Sequence, residues 1–166
     1  MITLCFHGAE STGKSVVAGK LGLPWVPEYG RAYCEARGTD LTMDDLLAIA
    51  EGQARENAAA MAMRPAMLIL DTDQLMTAAW AQMLFGQVPQ VLFEYPKADH
   101  YLLFEPDVPW QEDGTRMFGS DARRTRFAEL SEQMLIRAAV PFTRIGGDWA
   151  SREQQVRDVV AQFAAV

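Results

Sequence analysis

The chain has two cysteines, two histidines, one asparagine and three lysines among 166 residues, and each scarcity removes a class of protein. Cys5 and Cys34 stand far apart with no CxxC or Cys/His spacing. Neither a zinc site nor a disulfide framework is expected, and both read as reduced thiols of a cytoplasmic protein. Asn57 is followed by Ala58, so the NKxD motif with which GTPases read guanine has no residue to start from. The H-R-D and D-F-G motifs of protein kinases are missing, as is an ABC-type signature. Positive charge is short: 15 Lys and Arg face 22 Asp and Glu, a formal charge of −7. Nucleic acid and anionic membrane are therefore not expected as partners. Long apolar runs are also lacking. The stretch around Ala58 to Ala62 is stopped by Arg64 and Pro65, well short of a spanning helix. The first seven residues carry no basic region and are cut off by Gly8, which reads as a strand rather than a signal peptide.

What is present is an ordinary globular composition, 49% hydrophobic and 22% charged, in a chain whose length suits one domain over residues 1–166. Short apolar runs at Ile2 to His7, Trp25 to Pro27, Met67 to Asp71, His100 to Glu105 and Pro141 to Ile145 read as buried strands. Between them lie helical segments. Lys14 to Leu21 has Val16, Val17 and Leu21 on one face, and Glu28 to Arg37 ends at Gly38. A long helix after Thr42 opens with a capping box to Asp45, and Gln74 to Phe85 forms another. Ser120 caps a helix to Ala139, and a last helix starts at Ser151. Met61, Met63, Met67, Met76 and Met83 read as core filler. Alternating strands and helices imply an α/β fold around a parallel sheet of about five strands.

Gly8-Ala9-Glu10-Ser11-Thr12-Gly13-Lys14-Ser15 satisfies G-x-x-x-x-G-K-[ST] in full, between a strand and a helix. A chance match in a chain of this length has odds on the order of one in a hundred. The glycines let backbone N–H groups converge on phosphate, the helix N-terminus adds positive potential, Lys14 reaches the β/γ-phosphates, and Ser15 can ligate Mg²⁺. Asp71 closes an apolar strand at the position of a Walker B acid, a second Mg²⁺ ligand. No Asp-Glu pair of the water-activating kind follows, which favours transfer to an acceptor over hydrolysis. Glu28 or Asp73 can serve as the base that takes the acceptor's proton; the residues alone do not choose between them. Arg116, Arg123, Arg124 and Arg126 fall within eleven residues. They read as a lid over the transferring phosphoryl group, with Arg116 and Arg124 as the catalytic candidates. Trp110 sits in a long polar segment from Glu105 to Gly119, where loops are often functional.

Taken together, the phosphate loop at 8–15, Glu28-Tyr29-Gly30-Arg31, Asp71-Thr72-Asp73, Pro109-Trp110 and Asp113-Gly114-Thr115-Arg116 resemble the ribosylnicotinamide kinase domains of the NadR family. The resemblance implies a three-layer P-loop NTPase sandwich with a short lid at about 114–126. It also implies ATP-dependent transfer to the 5′-hydroxyl of nicotinamide riboside, within NAD biosynthesis, with ATP and Mg²⁺ as cofactors. It assigns substrate contacts to Tyr29, Arg31, Asp73, Trp110 and Asp113. Two aromatic positions that sandwich the nicotinamide ring in that family are occupied here by Pro27 and an alanine near Ala59. A kinase for another nucleoside or nucleotide and a nucleotide-dependent regulatory module are the alternatives.

Overall fold

A computed structural model of the chain describes residues 1–110 and 120–165. Five strands form one parallel sheet: β1 (Ile2–Gly8), β2 (Trp25–Val26), β3 (Met67–Asp71), β4 (His100–Phe104) and β5 (Phe142–Ile145), in the order β2-β3-β1-β4-β5. Six helices accompany them among the described residues: α1 (Lys14–Lys20), α2 (Tyr29–Arg37), α3 (Met43–Ala62), α4 (Gln74–Phe85), α5 (Asp121–Arg137) and α6 (Trp149–Ala164). A short 3-10 turn at Gln90–Phe93 has no counterpart in the expected elements.

The strands read as continuous apolar runs because both faces of the sheet are covered. Leu4 and Phe6 of β1, Met67 and Ile69 of β3, and Leu102 and Phe104 of β4 pack with Val17 of α1 and Val156 of α6. Their alternates, Cys5, Leu68, Leu70, Tyr101 and Leu103, pack with residues of α3, α4 and α5. Three layers result. Adjacent strands β1 and β3 thus send their following helices, α1 and α4, to opposite faces, which opens a crevice at their C-terminal ends. Gly8 shows how closely this edge is packed. Its φ is +123°, and a Cβ there would collide with the Phe104 carbonyl oxygen.

Several local expectations need correction. The last helix begins at Trp149 rather than Ser151, because Asp148 is its N-cap and accepts from the Ser151 N–H at 2.8 Å. Ser151 therefore occupies the third helical position. Val16 is 62% exposed, while Val17 faces the core. Met63 follows the last residue of α3 and is 84% exposed, so it fills no core. The part of the expected lid from Asp121 to Arg126 is the first turns of α5; its residues 114–119 lie outside the described residues.

Candidate active site

The crevice holds a cavity of about 320 Å³ that runs from the phosphate loop into a chamber walled by helices. Its polar end is lined by Gly8, Glu10 to Ser15, Glu28, Arg31, Asp71 and Thr72. At the phosphate loop, Gly13 has φ +88° and Ser11 φ +58°, conformations that turn successive N–H groups toward one side. The loop also ties itself together: Thr12 Oγ1 donates to Ala9 O at 2.8 Å, and Lys14 Nζ donates to Gly8 O at 3.1 Å and Ala9 O at 2.7 Å. Burial pushes the Lys14 ammonium below its ordinary pKa, opposed by Glu28, Asp71 and Glu10.

Asp71 supplies the test of a cation site. Its Oδ2 accepts from Ser15 Oγ at 2.5 Å, while its buried Oδ1 has no hydrogen-bond partner among the described residues. An orphaned carboxylate oxygen beside a loop hydroxyl is the hard donor set that Mg²⁺ takes together with phosphate oxygens and water. Among the described residues no group of three or more His, Cys, Asp or Glu is gathered to hold a metal. The bound nucleotide would have to complete the coordination.

The two acids that the residues alone left equivalent occupy different environments. Asp73 is 2% exposed and caps α4: its Oδ1 accepts from Leu75 N at 2.9 Å and its Oδ2 from the Tyr101 hydroxyl. It does not line the cavity. Glu28 precedes α2 without making a side-chain cap and lines the cavity between the phosphate loop and the chamber. Burial, then the neighbouring Asp71, push its carboxyl up to about 7, against the pull of Lys14 and Arg31. Thr72 separates the two roles. This β-branched residue has φ +85°, a strained conformation typical of functional sites. The chain turns sharply between Asp71, which meets the loop, and Asp73, which turns into the core.

Other expected site residues are distributed as follows. Arg31 lines the cavity. Tyr29 does not: its ring lies against Gly52 of α3, where any Cβ would collide with it, and its N–H donates to Gln53 Oε1 at 2.7 Å. Arg124 is 3% exposed and donates from Nη1 and Nη2 to Val108 O, each at 3.1 Å. Its guanidinium secures the chain after β4 and does not line the cavity. Trp110 also lies away from the cavity lining, with a buried indole N–H that has no partner among the described residues. Asp113 and Arg116 lie outside the described residues.

The far end of the cavity is an apolar chamber that the residue patterns did not announce. Leu41, Leu46 and Ile49 line it from the α3 side, Met76 and Trp80 from α4, and Phe127 from α5. Trp80 and Phe127 are in contact, with ring centroids 4.6 Å apart. The chamber's aromatic side chains thus come from α4 and α5, while Pro27 and Ala59 stand before α2 and on α3. Phe127 shares the buried face of α5 with Leu130 and Met134. Trp80 lies in a helix that is apolar nearly all round, where no periodicity singles out one wall.

The sequence profile of the AAA domain family matches residues 3–152. Among solved structures, the chain is similar to the NadR protein in complex with NR, at 23% identity and a TM-score of 0.84 over 99% of this chain. The chain spans about half of NadR, 52% of its length. It is also similar to deoxyadenosine kinase from M. mycoides with dCMP and dCDP bound, at 12% identity and a TM-score of 0.70 over 97% of this chain and 100% of that one. Thymidylate kinase from Ehrlichia chaffeensis gives 10% identity and a TM-score of 0.68 over 96% of this chain and 98% of that one. These identities carry the fold alone, a three-layer α/β sandwich around a parallel sheet, and the NadR resemblance holds at that level. With the profile covering nearly all of the sheet and the complete phosphate loop, the chain belongs to the AAA domain family.

Proposed function

We propose that the protein transfers the γ-phosphoryl group of ATP to the 5′-hydroxyl of a nucleoside-like acceptor, with nicotinamide riboside as the first candidate. The observation that carries this reading is the placement of Glu28. It stands where the phosphate end of the cavity meets a chamber walled by Trp80 and Phe127, close enough in charge to Lys14 and Asp71 for each to shift its pKa. A base with a pKa near neutrality is suited to accept a hydroxyl proton. The chamber is suited to a flat ring. The NR seen with NadR and the dCMP and dCDP seen with deoxyadenosine kinase support an acceptor of nucleoside type.

In this mechanism the backbone N–H groups of residues 8–15 and Lys14 hold the β- and γ-phosphates, in line with an acceptor oxygen at the chamber mouth. Asp71 and Ser15 would hold Mg²⁺, which neutralises phosphate charge when bound. Glu28 takes the hydroxyl proton as the oxygen attacks, and Arg31 faces the accumulating negative charge. Asp73 holds the start of α4 against Tyr101 and so keeps Trp80 in place, a structural part rather than a chemical one. The test is an acceptor panel: purified protein, ATP and Mg²⁺ with nicotinamide riboside, thymidine and deoxyadenosine, read as phosphorylated product. Product from nicotinamide riboside supports the full reading, and product from another nucleoside alone replaces the acceptor. Nucleotide binding without any phosphorylated product points to the regulatory alternative.

A further inference from the structure

The first turn of α6 reaches the phosphate loop from outside the cavity. Arg152 has no exposed surface, and its guanidinium meets three segments of chain. Nη1 donates to Thr12 O at 3.2 Å, Nε to Gly147 O at 2.8 Å and Nη2 to Glu105 O at 2.9 Å, while Nη2 also pairs with the Asp107 carboxylate. Trp149, three residues earlier on the same helical face, lies against Gly13. A Cβ at Gly13 would sit 2.9 Å from Trp149 Cζ3, and the Arg152 Cζ is 6.0 Å from the Trp149 ring centroid.

A phosphate loop aims its N–H groups inward, which turns carbonyls outward, where each needs a donor. Arg152 is the donor for Thr12. A buried guanidinium is tolerated only with its charge paired and its N–H groups used, and the Asp107 carboxylate with three carbonyls meets both conditions. Thr12 and Gly13 are thus fixed by one helical turn, through two unlike contacts.

We propose that Arg152 and Trp149 form a brace that holds the Thr12–Gly13 turn in its phosphate-receiving shape before nucleotide arrives, so that both are positioning residues of the ATP site. The inference rests on the reading of residues 8–15 as the site of ATP's phosphates. A preformed cradle loses less conformational freedom on binding, so loosening it weakens affinity for the phosphate chain and leaves the acceptor chamber as it was.

Calorimetric titration of wild type, Arg152→Lys and Trp149→Ala with MgATP and with magnesium tripolyphosphate, alongside melting curves and acceptor KM values, tests the brace. The expected result is a loss of affinity of about tenfold for both ligands in both variants, at unchanged acceptor KM. Variants that bind both ligands as wild type does and only melt earlier would show that α6 is merely anchored here, overturning the proposal. Loss of ATP affinity alone in Trp149→Ala would overturn it too, by assigning the ring to the base. Tripolyphosphate that fails to bind a wild type that binds ATP contradicts a preformed cradle. A wild type that binds neither ligand removes the reading of the loop itself.

Discussion

At the phosphate end of the cavity, eight consecutive residues from Gly8 to Ser15 build the cradle, with Asp71 from the neighbouring strand beside them. At the acceptor end, the wall is assembled from α2, α3, α4 and α5, with residues as distant in sequence as Cys34, Leu46, Trp80 and Phe127. The first end is local and polar, and in the proposed reaction its backbone conformations and charges act directly on the transferring group. The second is distributed and apolar, so it can change its preferred ring without disturbing the chemistry. A division of this kind predicts that substitutions at the two ends fail in different kinetic parameters.

The largest effect belongs to the phosphate end. Lys14→Ala should lower kcat/KM by about 10³-fold through loss of transition-state charge stabilisation, which steady-state rates of the folded variant check. At the junction of the two ends, Glu28→Gln should lower kcat by about 10²-fold. It should also remove the rise of wild-type rate through pH 7, the value to which the Glu28 carboxyl is pushed. Trp80→Leu should raise the acceptor KM about tenfold by removing ring contacts while leaving the ATP KM unchanged. An equal change in both would erase the division between the ends.

Asp73 sharpens the comparison from the opposite direction. Asp73→Asn weakens the α4 cap and the Tyr101 hydrogen bond, a loss of about 2 kcal/mol of stability. The melting temperature should drop by about 6 °C with kcat nearly unchanged, the reverse of Glu28→Gln. The last effect is electrostatic. The raised Glu28 pKa means that the folded protein holds that proton more tightly than the unfolded chain, whose ordinary value is 4.5. Stability from this group is therefore present at low pH and lost as pH rises from 4.5 to about 7. Glu28→Gln, which cannot ionise, should gain on wild type in melting temperature as pH rises across that window.

The same contrast explains what could be read in the residues. The strand and helix pattern and the phosphate loop are local signals, and the structure has the five-stranded parallel sheet that they implied. Glu28 and Asp73 both follow strands and precede helices, so they look alike until capping geometry shows that only Asp73 spends its carboxylate on its own helix. The turn at Thr72 is equally hidden, because nothing about a threonine announces φ +85°. Trp80 was masked by an apolar helix buried between α3 and α5, and Arg152 by a charged terminal helix that reads as solvated surface. Both are set by contacts between segments far apart in the chain, for which one sequence holds no periodic signal. Ser151 with Gln154 three residues on imitates a capping box, although the N-cap of α6 is Asp148.

The proposed chemistry is group transfer to an acceptor. Its most direct test is ³¹P NMR of wild-type protein with ATP, Mg²⁺ and nicotinamide riboside. The predicted result is loss of the ATP γ-phosphorus signal, matched by equal growth of ADP and of a phosphomonoester on the riboside 5′-oxygen. Nucleotide that binds while no phosphomonoester forms, on this riboside or on any nucleoside offered in its place, would contradict the account.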